Sequence, residues 1–77
     1  MPRYFFSTAN GHFIKDDEGD ILPDDDAARA MAVDILSEIL PSQREQLCEG
    51  GHYTILVATE DRADLYEITA TARRIRN

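Results

Sequence analysis

The side chains best suited to metal chemistry are one cysteine and two histidines. Cys48 is the only cysteine of the 77-residue chain, and His52 follows it beyond Gly50-Gly51. A structural zinc needs four protein ligands and a catalytic zinc three, so His12, from a distant hairpin, would have to join the pair. The pattern therefore favours a partly buried thiol and two exposed imidazoles. We expect no metal and no other cofactor.

Nucleophilic catalysis by Cys48 would need a cation or a helix N-terminus to stabilise its thiolate. The cysteine instead lies near the end of a short helical segment, beside Glu49. The carboxylates fall in exposed runs, where they stay ionised and do no acid-base work. A chain of this size also leaves little room for a ligand pocket of about 300–1,000 Å³. We therefore predict a protein that is not an enzyme.

An acidic run raises the question of calcium. Asp16, Glu18 and Gly19 have the spacing of the third, fifth and sixth positions of an EF-hand loop. The first position would then be Ile14 and the twelfth Asp25 in place of glutamate, and no paired helices flank the run. A solvated turn that keeps a sheet edge polar is the favoured interpretation.

Aromatic and basic side chains at the two ends of the chain define a candidate interface. Tyr4 and Phe6 share one side of a strand and would stack nucleic-acid bases if exposed. Three arginines near the other end would contact phosphates or a neighbour's acids: Arg73, Arg74 and Arg76. Fifteen acids against eight bases give a net charge of −7, which disfavours nucleic acid. Core packing is the alternative for the two aromatics.

The first half of the chain predicts a hairpin. Residues 3–8 alternate as a strand, with Tyr4, Phe6 and Thr8 on one side. Asn10-Gly11 follows and indicates a type I′ turn, after which residues 12–15 return as a short strand. Ile21 and Leu22 form an extended apolar pair that Pro23 ends.

A helix should begin after Asp24, whose side chain can cap it, with Asp25 and Asp26 at the positive end of the helix dipole. Pro41 ends the helix near Leu40, and Ser42 would cap one further short turn through residues 43–47. The apolar residues follow a helical spacing of one face: Ala28, Met31, Ala32, Ile35, Leu36 and Ile39.

Two further strands are expected in the second half. Residues 53–59 are rich in β-forming residues and apolar on both faces, as in a central strand. A polar turn runs from Glu60 to Asp64, and residues 65–73 alternate again, with Tyr66, Ile68 and Ala70 on one face. The order of the four strands is not determined, because one helix permits several arrangements.

Several sequence features resemble a family of small bacterial domains of unknown function. They are the opening Met-Pro-Arg-Tyr-Phe-Phe, the Asn-Gly hairpin, the Asp-Asp-Glu-Gly turn, and Leu-Pro-Asp followed by Asp-Ala-Ala-Arg-Ala. The likeness is sharpest over residues 1–30. It implies an α+β fold and a cytosolic setting, and it carries over no functional residue.

Composition completes the expectation. A single cysteine is typical of a reducing compartment, no stretch reaches the ~20 apolar residues of a membrane span, and no cleavage site follows the first residues. We predict one cytoplasmic domain over residues 1–77 with ββαββ order, an antiparallel sheet of about four strands and one helix on one face. The predicted function is a non-enzymatic protein-interaction domain that forms a homodimer, through the second sheet face or an edge strand. The alternative is a nucleic-acid-associated regulator.

Overall fold

The computed structural model describes residues 2–48, 50–61 and 63–76 and has an α+β fold, as predicted. Its sheet contains five strands, because Asp20–Ile21 forms one more than the four expected. The elements in chain order are β1 (Arg3–Ala9), β2 (Phe13–Ile14), β3 (Asp20–Ile21), α1 (Asp25–Ile39), a 3-10 turn (Leu40–Gln43), α2 (Arg44–Cys48), β4 (His52–Ala58) and β5 (Asp64–Thr71).

All strand pairs are antiparallel, and β1 and β4 form the centre of the sheet. On its outer side β1 pairs with two short strands in turn, with β3 near Tyr4 and with β2 near Thr8. β5 pairs with β4, with a bulge between Val57 and Ala58. The sheet therefore has one long continuous edge strand, β5, and one composite edge.

Helix α1 begins as predicted, because the Asp24 carboxylate accepts the Ala27 N–H at 2.8 Å. Ala28, Ala32 and Leu36 are buried against the sheet, which confirms the predicted apolar face. They meet Ile55 and Val57 of the central strand β4, both fully buried. The core is thus one layer between α1 and one face of the sheet.

Two local predictions were wrong in detail. The β1–β2 loop has three residues, since Ala9 pairs with Phe13, so the turn is not a two-residue type I′ turn, although Gly11 does have a positive φ (+97°). Helix α1 does end at Ile39 with Leu40 as its C-cap, as predicted, and Pro41 lies at the start of the 3-10 turn that follows, where its missing N–H is not needed. Ser42 caps nothing, and its hydroxyl donates to the Ile39 carbonyl at 2.7 Å.

No helix among the described residues is long and apolar enough to cross a membrane.

Candidate protein-interaction surface

The two aromatics of the candidate interface lie in the core. Tyr4 is 2% exposed and Phe6 8%, and both pack with the buried residues of α1 and β4. The predicted alternation was right about which side they share, but that side faces the helix. Neither side chain is available to stack a base or to contact a partner.

The Tyr4 phenol also ties β1 to the first turn of α1. Its hydroxyl donates to Asp25 Oδ1 at 2.7 Å. The hydrogen bond to this carboxylate, with burial and the nearby negative charge of Asp24, raises the pKa of Tyr4 to about 12. Tyr4 is therefore a structural residue that positions the helix on the sheet.

The sheet face away from α1, here called the open face, is less apolar than expected. Its centre carries Ser7 and Thr54, both buried, and the Thr54 and Thr69 hydroxyls lie 2.9 Å apart in a hydrogen bond. Phe5 is on this face but only 9% exposed, and Gly19 of the β2–β3 loop packs at its ring. The open face therefore does not supply a broad hydrophobic interface.

The outer edge of β1, here called the covered edge, is closed by a side chain. Between the pairings with β3 and β2, the Phe6 N–H donates to Asp16 Oδ2 at 2.9 Å. The other carboxylate oxygen of Asp16 accepts the N–H groups of Glu18 and Gly19, each at 3.1 Å. Asp16 thus replaces a missing strand residue at this edge, a role that its place in an acidic run did not reveal.

The other edge, here called the free edge, is the outer side of β5. The Ala72 N–H donates to the Gly51 carbonyl at 3.3 Å, in register with the β4–β5 ladder. Bonded and non-bonded pairs alternate along an antiparallel ladder, so Ala70 and Ile68 also bond toward β4. The backbone N–H and C=O groups of Glu67, Thr69 and Thr71 consequently point away from β4. Within the described ranges no strand pairs with them.

Opposite charges occupy the two ends of the free edge. Glu60, Asp61 and Asp64 lie at the start of β5, and all are exposed. The segment after β5, here called the arginine segment, is exposed as well and contains Arg73, Arg74 and Arg76. In the part of the chain that the structure describes, neither group forms a salt bridge. The Thr59 hydroxyl and the Ala63 N–H both donate to Asp61 and lower its pKa, which keeps this carboxylate charged.

The candidate metal and nucleophilic residues lie on the surface. His12, Cys48 and His52 are all exposed. Residues 2–48, 50–61 and 63–76 hold no group of three or more histidine, cysteine or acidic side chains placed to bind a metal ion. Glu49, which the sequence places beside Cys48, is outside the described residues, and so is Met1 of the opening motif.

Three exposed apolar side chains lie along the covered edge. Phe13 and Ile14 are each 62% exposed, and Ile21 is 52% exposed. Their strands are only two residues long, so few neighbours cover them. The exposure of these side chains was not anticipated from the sequence, since strand length rather than residue type decides it.

A family model described as a domain of unknown function, DUF6894, matches residues 3–71. No curated protein and no solved structure matches the chain. The match covers all five strands and both helices, and it brings no assigned activity.

Proposed function

The chain belongs to the DUF6894 family of domains of unknown function, and on that premise we propose that it is a non-enzymatic protein-interaction domain that works as a homodimer. The observation that carries the proposal is the free edge of β5, an eight-residue strand whose outward backbone groups lack a strand partner among the described residues. Such an edge is a template for pairing with another strand. β5 contains neither lysine nor proline, two residues that commonly protect an edge strand, and Asp64 and Glu67 are its only charged residues.

A second copy of β5 fits this edge by symmetry. A two-fold axis normal to the sheet makes the two strands antiparallel and puts both helices on the same side. With Ile68 on the axis, Glu67 is opposite the partner copy's Thr69, so no like charges face each other. The row formed by Tyr66, Ile68 and Ala70, which packs against the core of one copy, then continues into the same row of the other.

The edge is a better candidate than the open face. The centre of the open face carries hydroxyl groups that hydrogen-bond to each other, as in the Thr54–Thr69 pair. Removing such a face from water yields little favourable free energy of association. The nucleic-acid alternative has lost its stacking residues, because Tyr4 and Phe6 are buried. Only the arginine segment would remain for it, on a chain of net charge −7.

The test is light scattering over a concentration series with an edge-blocking variant. Thr69→Pro removes one outward N–H and leaves the β4 ladder intact, a position where an edge strand tolerates proline. Thr69→Ala is the matched control, because it loses the same hydroxyl bond to Thr54 but keeps the N–H. We expect the wild-type protein and Thr69→Ala to form dimers. For Thr69→Pro we expect the dimerisation affinity to fall by about tenfold or more.

Two results would overturn the proposal. A wild-type protein that stays monomeric at high micromolar concentration is not a homodimer. Thr69→Pro dimers as tight as those of Thr69→Ala would move the interface away from β5. Binding of a mixed oligonucleotide panel at low salt, with loss at high salt, would favour the nucleic-acid function instead.

A further inference from the structure

We infer that in the dimer the arginine segment of each copy closes on the acidic start of β5 in the other copy, forming two symmetric charge clasps. The inference rests on the proposed homodimer and adds the groups that select the partner. Its residues are Arg73 and Arg74 on one copy, and Asp61 and Asp64 on the other.

The two charged groups cannot meet within one chain. Asp64 and Thr71 are the two ends of β5, which spans about 24 Å at about 3.4 Å per residue. The arginine segment continues beyond Thr71, since the Ala72 N–H still bonds to the Gly51 carbonyl, and residues 73–76 are exposed. Arg73 and Arg74 of one chain therefore lie apart from its own Asp61 and Asp64, at opposite ends of the same edge.

Antiparallel pairing of two β5 strands brings the opposite ends together. With Ile68 on the two-fold axis, Asp64 lies opposite the partner copy's Ala72 and next to the two arginines that follow it. The same contact recurs at the other end of the interface by symmetry. A parallel arrangement would place acids beside acids and arginines beside arginines, so the charges favour one orientation.

The clasp also explains how two acidic chains associate. Each copy carries a net charge of −7, so the approach of two copies is unfavourable overall. Placing bases against acids at both ends of the interface replaces that repulsion by local attraction. An unrelated strand without an acidic start would pair with the backbone but not with the arginines, so the partner favoured by this chemistry is a second copy of the chain.

The experiment exchanges charges between two variants. Arg74→Glu and Asp64→Arg each put like charges together at both ends of their own homodimer, and we expect each to weaken dimerisation about tenfold at low salt. A mixture of the two forms a heterodimer in which both clasps are attractive again, with an affinity near that of wild type. Lys15→Glu, an exposed position next to β2 at the opposite edge of the sheet, is the matched control for Arg74→Glu, with the same change in net charge.

The outcomes separate this inference from the proposed function. Wild-type dimerisation that falls about tenfold between about 0.05 M and 0.5 M salt, with rescue in the mixture, supports the clasp. Variants that dimerise as well as wild type, or a mixture that is not rescued, would overturn the clasp while the homodimer stands. A monomeric wild-type protein would remove the proposed function and the clasp together.

Discussion

The two edges of this sheet are closed in different ways. Along the covered edge, β1 meets two short strands and the carboxylate of Asp16, so its outward N–H groups find partners within the chain. Along the free edge, the outward backbone groups of Glu67, Thr69 and Thr71 have no strand partner among the described residues. Backbone groups that leave water need partners, and residues 2–48, 50–61 and 63–76 supply strand and side-chain partners at the covered edge only.

The covered edge is assembled from local sequence. Its strands and loop all fall within residues 3–21, and Arg3 secures the loop by donating from its guanidinium to the Glu18 carbonyl at 2.7 Å. The free edge follows the longest pairing in the protein, between β4 and β5. The difference shows that one chain can close the outer side of β1 with nearby residues and leave β5 without a strand partner on its outer side among the described residues.

The largest expected effect on the free energy of unfolding comes from adding a side-chain atom at Gly19, in the loop of the covered edge. Gly19 has φ +71°, and a Cβ there would lie 2.5 Å from the Tyr4 carbonyl oxygen and 3.0 Å from the Phe5 ring. Gly19→Ala should lower the free energy of unfolding by about 3–4 kcal/mol. Gly11→Ala has no such neighbours and should cost about 1–2 kcal/mol for its positive φ alone. Urea denaturation of both variants measures the difference, and equal losses would contradict the close approach at Gly19.

A smaller effect is expected from removing the Asp16 carboxylate that accepts hydrogen bonds at the covered edge. Asp16→Ala removes the acceptor of three backbone N–H groups, among them that of Phe6, and should lower the free energy of unfolding by about 2 kcal/mol. Amide exchange at Phe6 should become faster than at its neighbours in β1. Asp34→Ala, at an exposed position of α1, is the control and should change stability little. If exchange at Phe6 is unaltered, Asp16 does not protect this edge.

The sequence predicted the architecture better than the edges. Alternation in residues 3–8 and 65–73 and the helical spacing from Ala28 correctly assigned which residues share the core face, because burial of apolar side chains determines those elements. The same pattern could not say whether Tyr4 and Phe6 faced the helix or the solvent. Alternation shows which residues share a face of a strand, but it does not show what packs on that face. Only the position of α1 decides that.

The candidate site depends on backbone geometry, which residue types do not reveal. Whether an N–H of β5 points inward or outward follows from the register with β4, a long-range pairing set by the whole fold. Likewise, Asp16 belongs to a run of similar acids, and only its place between two short strands makes it an edge cap. The charges of Asp64 and Arg74 were readable in the sequence, but their position at opposite ends of one edge was not.

The pH dependence of the free energy of unfolding tests the Tyr4–Asp25 hydrogen bond, which joins β1 to α1, separately from the contacts at the edge of β1. The folded protein holds the Tyr4 proton to a pKa of about 12, above the ordinary value of 10.0. Between about pH 10 and 12 the unfolded chain releases this proton first, so the free energy of unfolding should fall as pH rises through that window. Tyr4→Phe should lose part of the fall, and it should destabilise the protein at pH 7 less than Asp16→Ala, because one hydrogen bond is removed. An identical alkaline decline in both proteins would exclude Tyr4 as its source.

The smallest effect is expected at Phe13, an exposed apolar residue of the covered edge, and its variant tests the comparison of the two edges most directly. Phe13 is 62% exposed, so Phe13→Ser should change the free energy of unfolding by less than about 1 kcal/mol. It should also leave the dimer mass in light scattering unchanged, because the dimer contact is assigned to β5 at the opposite side of the sheet. Val33→Ser is the matched control, an exposed apolar residue of α1. Loss of the dimer in Phe13→Ser but not in Val33→Ser would reverse the roles of the two edges, since the covered edge at β2 would then be the surface that meets the second copy.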